Sequence, residues 1–236
     1  MPRTIVVSDL HGSRAALERV LEHAGFGDGD RLVVAGDLVD VGSDDTVGFA
    51  ESLGATILAG NHEVSAALGL RIAPQNVETL LRGPEFAERM LDGRWKLAVE
   101  VDGWLVTHAG VSVALDDLVA RAGYDAGALA LDLNERFRRE LAAAREEGPL
   151  EWQDMERYRL VGGELGPLWF RPTMLSRIPS GLRQIVGHTP PDVLGDALVT
   201  RLESYGWLLV ESGGHGAAHV RYAVVEPSGE AHVVVG

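Results

Sequence analysis

The sequence predicts an α/β fold, a four-layer αββα sandwich in which two mixed β-sheets stack and helices cover their outer faces. Three observations carry that expectation. Short β-branched runs alternate with helical patterns over the front of the chain, as expected for strands joined by crossover helices. The C-terminal third reads almost wholly as strands with no helices between them, which predicts antiparallel pairing there. Between Gly110 and Arg183 the pattern is instead helical.

The elements follow in order. Thr4–Ser8 reads as the first strand. Ser13 is placed to cap a helix that runs to His23, and Ala16, Leu17, Val20 and Leu21 give it an apolar face. Arg31–Ala35 and Ala55–Ala59 are the next strands, followed by Trp95–Val101, Trp104–Thr107 and Arg183–Val186. The closing strands are Ala197–Leu202, Trp207–Val210, Val220–Val225 and Ala231–Val235. Ala126–Glu147 is a long charged helix with Leu129, Leu133, Phe137 and Leu141 spaced for one face. It lies in a helical insertion at about 111–182 within a single domain spanning 1–236. An excursion of that length is either a cap over a site or a helical layer over a sheet, and the pattern does not choose.

Bulk properties narrow the function classes. At 236 residues the chain can bury one sizeable core. With no cysteine, disulfides, thiolate metal sites and a cysteine nucleophile are excluded. A formal net charge of −14 argues against a nucleic-acid polymer as partner, while a local basic pocket for one phosphate stays open. No run reaches the roughly 18–20 apolar residues of a membrane span. The apolar run Ile5 to Val7 is too short for the core of a secretory signal, so a cytoplasmic location is expected.

The chemistry is written at the strand ends. Five apolar runs each lead straight into a polar cluster with a glycine beside it. These clusters are Ser8-Asp9-Leu10-His11-Gly12, Gly36-Asp37-Leu38-Val39-Asp40, Gly60-Asn61-His62-Glu63, Thr107-His108-Ala109-Gly110 and Gly187-His188-Thr189. Ligands of open α/β sheets sit beyond the carboxyl ends of the strands, so five such ends converge on one site. Carboxylate and imidazole without thiolate suit Mn, Fe or Zn. Asp9 and His11 point the same way on an extended segment, and Asp37 is placed to bridge two ions. Asp-x-His-Gly or Gly-His-Thr alone would be unremarkable. All five in order, each after a strand, are not.

Together these motifs resemble the calcineurin-like metallophosphoesterase superfamily, and within it the phosphoprotein phosphatase branch. That branch includes serine/threonine phosphatases and diadenosine tetraphosphate hydrolases. The resemblance extends from residue 9 to residue 188. It implies two divalent ions, Mn²⁺ first with Fe or Zn as alternatives. Asp9, His11 and Asp37 would hold one, and Asp37, Asn61, His108 and His188 the other. A metal-bound hydroxide would attack phosphorus in line, His62 would protonate the leaving alkoxide, and Asp40 would orient that imidazole. Val41 stands where the family has an arginine that holds the substrate phosphate, and Arg171, in Leu168-Trp169-Phe170-Arg171, is the candidate substitute. Arg177 and Arg183 are weaker candidates, and Glu211-Ser212-Gly213 departs from an Asp-x-Gly found in relatives.

Other residues carry no function in this reading. His23, His215, His219 and His232 are surface or satisfied core histidines, and Glu63 supports the first turn of its helix. Asp44-Asp45 caps a helix, and the charges from Glu135 to Glu147 form a solvated helix face. Trp95, Trp104, Trp152 and Trp207 are packing residues, and Trp169 fits either role. The expected activity is a phosphomonoesterase acting on a small phosphorylated metabolite or a phosphoprotein. A dinucleoside polyphosphate hydrolase or phosphodiesterase is the alternative, and a non-catalytic metal- or phosphate-binding module ranks below both. A Rossmann-type nucleotide binder ranks lower still, because the first strand leads into Asp-Leu-His-Gly and not Gly-x-Gly-x-x-Gly.

Overall fold

Side-chain alternation along the strands sets the layers. The computed structural model describes residues 2–148, 150–173, 175–179, 181–211 and 220–236. Its strands are β1 (Thr4–Val7), β2 (Arg31–Val34), β3 (Thr56–Ile57), β4 (Ala98–Val101), β5 (Trp104–Thr107), β6 (Gln184–Val186), β7 (Trp207–Leu209), β8 (Arg221–Val225) and β9 (Ala231–Val235). The front helices are α1 (Arg14–Ala24), α2 (Thr46–Ser52), α3 (Asn61–Ala67), α4 (Val77–Leu81) and α5 (Gly83–Leu91). Later come α6 (Asp116–Arg121), α7 (Ala126–Glu146), α8 (Trp152–Met155), α9 (Pro191–Leu194) and α10 (Asp196–Ser204).

One sheet has the order β3-β2-β1-β8-β9 and the other β4-β5-β6-β7. Both are mixed. β1, β2 and β3 are parallel, as are β5, β6 and β7, while β8, β9 and β4 pair antiparallel. Val6, Val33, Val106, Ile185, Leu208 and Ala223 form one buried cluster between the sheets. Their neighbours Ile5, Val7, Leu32 and Val34 join the cluster of Leu17 and Val20 from α1. This period-two alternation buries both faces of the central strands, so the mixed αββα sandwich is the observed architecture.

Three expectations are corrected. Ala197–Leu202 belongs to α10, because Val199 and Leu202 are buried three positions apart and pack beside Trp207 and Leu209. That helix also supplies the crossover β6 needs to reach a parallel β7, so Trp207–Leu209 is not antiparallel. The strand expected from Trp95 begins at Ala98, and Trp95 instead stacks on Phe86 with ring centroids 5.4 Å apart. Among the described residues no helix is long and apolar enough to cross a membrane.

α7 packs on β4 and β5 as a layer, burying Leu129, Leu133, Phe137 and Leu141. From it Asn134 treats the edge strand as a neighbouring strand would. It accepts from Leu97 N and Ala98 N at 2.8 and 3.1 Å and donates to the Ala98 carbonyl at 2.8 Å. Phe137→Ala should therefore cost about 3–5 kcal/mol in urea unfolding, the usual range for an emptied core aromatic. A loss below 1 kcal/mol would mean that α7 is not part of the packed core.

Candidate active site

All five strand-end clusters emerge at the same edge of the two sheets. Parallel register aligns Val7 with Val34 and Val34 with Ile57, and in the second sheet Val106 with Ile185. Asp9, Asp37, Asn61, His108 and His188 therefore leave their strands side by side. Asp37 lies at the centre. Its Oδ2 is 3.4 Å from His108 Nε2, 3.8 Å from His11 Nε2 and 3.9 Å from His62 Nε2. Asp9 presents Oδ1 3.9 Å from His11 Nε2, while its Oδ2 accepts the His188 backbone N–H at 2.9 Å. His108 donates from Nδ1 to the Ala35 carbonyl at 2.8 Å, so Nε2 faces inward, 2.9 Å from Asn61 Oδ1. His188 closes the ring edge-on to His108 at 5.1 Å.

Among the described residues two groups of donor atoms result. His11, Asp37 and His62 have atoms within 4.8 Å of one another, and so do Asp37, His108 and His188. Asp37 is common to both. Carboxylate, imidazole and amide-oxygen donors converging in a buried pocket are the ligand types divalent metal ions take, so this donor set fits them.

The backbone is bent to make this possible. Asp9, His11, Asp37, Asp40 and His188 all adopt positive φ, between 45° and 74°, a conformation that costs non-glycine residues energy. Close glycine contacts hold the turns. A Cβ on Gly36 would sit 2.6 Å from Gly60 Cα, and one on Gly60 would collide with the Asp37 backbone. Glu63 supplies the anchor. Its carboxylate accepts from the backbone N–H groups of Asp37, Leu38, Val39 and Gly60 at 2.7–3.2 Å. Sequence reasoning gave Glu63 only a local role, because its partners in the Asp37 loop are 24–26 residues away and nothing in the chain marks them.

Charge follows geometry. Burial opposes ionisation of Asp37, but His108, His62 and His11 together hold its pKa well below the usual carboxylate range. Burial also opposes charge on His62 and His108, yet Asp37 leads the groups that raise both to about 9. His188, by contrast, is driven well down by burial and by the charge of His108. Glu211 emerges beyond β7 and is pushed up to about 7 by burial and by Asp9. It is thus a further acidic group near the Asp9 side, while Ser212 and Gly213 lie outside the described residues.

His62 and Asp40 are in direct contact. His62 Nδ1 is 2.5 Å from Asp40 Oδ2, and Asp40 Oδ1 accepts the Asn76 backbone N–H at 2.7 Å. Val41 is 46% exposed and itself at φ 62°, so a short β-branched chain stands where an arginine was expected. Arg171 and Arg177 line a cleft of about 750 Å³ that reaches His188. Arg183 is removed from the site, since its guanidinium lies over Trp104 and donates to the Gly229 carbonyl. His23 bonds the Tyr222 hydroxyl, His232 is exposed, and His215 and His219 lie outside the described residues. Trp95, Trp104 and Trp207 are core residues. Trp152 is not: it is 42% exposed and lines the cleft with Trp169.

Fold and site together define a metal-dependent hydrolase of phosphate esters. The chain belongs to the calcineurin-like phosphoesterase family, whose family model matches residues 2–215. A cold-active protein tyrosine phosphatase shares the fold with TM-score 0.68 and 17% identity, over 99% of this chain and 78% of that one. The cold-active protein-tyrosine phosphatase of a psychrophilic Shewanella gives 0.66 at 18% identity, over 99% and 80%. A protein serine/threonine phosphatase from Saccharomyces cerevisiae gives 0.54 at 12%, over 99% and 79%. At these identities the likeness is one of fold. No curated protein matches the sequence significantly.

With its pKa near 9, His108 is protonated at pH 7 in the metal-free protein and must lose that proton before Nε2 can bind a cation. Mn²⁺ binding at pH 7 should therefore release protons, and its apparent affinity should rise as pH climbs toward 9. Calorimetry in buffers of different ionisation enthalpy counts the protons. Release of none would contradict the charge state described for His108.

Proposed function

We propose that this chain is a two-metal phosphomonoesterase that releases inorganic phosphate from a small phosphorylated metabolite or a phosphoprotein. The observation that carries the reading is that Asp37 belongs to both donor groups, as a carboxylate bridging two ions must. Asp9, His11 and Asp37 would hold one ion, and Asp37, Asn61, His108 and His188 the other, with Mn²⁺ the first candidate. His62 also stands close to His11 and Asp37, but in this reading its Nε2, left free by the Nδ1 bond to Asp40, faces the leaving group and not an ion. Asp9, with Oδ1 on the His11 side, is the better ligand. Two bound divalent ions would supply Lewis acidity to the phosphoryl oxygens and ease deprotonation of an attacking water.

The chain's own residues then complete the reaction. His62 is held by Asp40 through Nδ1, leaving Nε2 to give its proton to the departing alkoxide. Arg171, close enough to His188 to depress its pKa, is the group that would grip the phosphate in place of the arginine missing at Val41. A monoester is favoured over a dinucleoside polyphosphate by the charge of the cleft. Among the described residues that line it, Glu156 and Glu164 match Arg171 and Arg177 one for one, leaving no surplus cation there for a chain of phosphates.

The test is turnover of the Mn²⁺-loaded protein on p-nitrophenyl phosphate and on an alkyl phosphate. Asp37→Asn should abolish both activities. His62→Asn should lower kcat on the alkyl ester by about 10²–10⁴-fold, and far less on the nitrophenyl ester, whose leaving group needs no proton. Equal losses on the two esters would remove His62 as the acid. Undiminished activity in Asp37→Asn would sink the two-metal reading.

A further inference from the structure

The cleft beside His188 is built differently from the metal site it adjoins. The His188 ring stands edge-on to Trp169 at 6.2 Å, and Trp169 stands edge-on to Trp152 at 5.1 Å with the ring planes 89° apart. The two indoles thus form a right-angled corner leading outward from the metal-binding edge. Each indole N–H is already satisfied, Trp169 on the Val161 carbonyl at 3.2 Å and Trp152 on the Arg71 carbonyl at 3.3 Å. What they offer a ligand is ring surface.

The wall is also pinned. The Pro167 carbonyl accepts from Ala109 N at 2.6 Å, directly beside His108, and the Leu165 carbonyl accepts from the Ser112 hydroxyl at 2.7 Å. Glu140 of α7 accepts from Leu160 N at 2.8 Å. A packed, hydrogen-bonded wall needs little ordering when a ligand arrives. Trp152 is 42% exposed on this wall, so much of its ring surface is open to a ligand.

We infer that this corner receives the alcohol part of the substrate and selects a phosphate monoester carrying a flat aromatic ring. The inference rests on the phosphomonoesterase reading above and names its substrate class. With the phosphate at the metal edge near His188 and Arg171, the ring lies flat on one indole and meets the other edge-on, the two arrangements aromatic pairs favour. A cleft of about 750 Å³ holds one such ring and its linker with room to spare. A sugar phosphate offers C–H groups but no π face to the corner. A phenol-derived ring and a nucleobase both do.

Two matched pairs test this with the Mn²⁺-loaded protein. Adenosine 5′-monophosphate and ribose 5-phosphate share one leaving hydroxyl and differ in the ring, so the ratio of their kcat/KM reads the nucleobase. Benzylphosphonate and ethylphosphonate, which are not hydrolysed, are compared by calorimetric Kd and read a phenyl ring. We expect the ring-bearing member of at least one pair to be favoured by about tenfold. That preference should fall toward unity in Trp152→Ala and persist in Trp152→Phe, and the pair that shows it names the source of the ring. Equal values within both pairs would overturn the inference while leaving the phosphatase reading standing. So would a preference that survives Trp152→Ala and Trp169→Leu. If no phosphate ester is turned over, the phosphatase reading fails and the phosphonate pair still decides the corner.

Discussion

The buried carboxylate of Asp37 imposes the constraint on which the rest of the site depends. Three imidazole nitrogens stand within 3.9 Å of one of its oxygens, and it stays ionised although burial works against it. A charge in that position is tolerable only while positive charge surrounds it, supplied by protonated imidazoles in the metal-free protein and by cations in a loaded one. Everything nearby follows from holding this group still. The Glu63 carboxylate ties the Asp37 loop to the start of α3 through four backbone N–H groups, so β2 and β3 deliver their ligands as one unit. The Asp37 carboxylate in turn accepts the His62 N–H, which fixes the origin of α3 from the other side.

Holding the site requires strain, and the sandwich supplies the rigidity that sustains it. Positive φ at Asp9, His11, Asp37, Asp40 and His188 lets successive side chains converge, which a relaxed extended segment would not allow. The parallel strands behind them are buried on both faces, and interstrand bonds continue past the strand ends, from Asp9 N to the Gly36 carbonyl and from His11 N to the Asp37 carbonyl. The second sheet contributes in the same manner, with Gly187 N bonded to the His108 carbonyl. Stability gained in the layers is thus spent locally at their common edge.

How much of this could be read in the chain depends on how local the signal is. Asp9, His11, Asp37, Asn61, His62, His108 and His188 were legible as a group because each lies in a polar cluster that follows a short apolar run and contains a glycine, and the structure brings them together. α10 was misread because Val199 and Thr200 are β-branched and only the burial of Val199 and Leu202 reveals a helical period. The parallel placement of β7 depended on that helix. The Asp37-loop partners of Glu63, the Asn76 support for Asp40 and the distance of Arg183 from the site are long-range facts with no local mark. Trp152 was assigned to packing for the same reason: sequence gives a tryptophan's size but not which neighbours leave it half bare.

The central claim is that Asp37 joins two metal ions, and anomalous diffraction from crystals soaked in Mn²⁺ tests it most directly. The account predicts two anomalous peaks about 3.5–4 Å apart on either side of the Asp37 carboxylate. One should be bounded by Asp9 and His11, the other by Asn61, His108 and His188. A single peak, or two peaks that do not share Asp37, would contradict it.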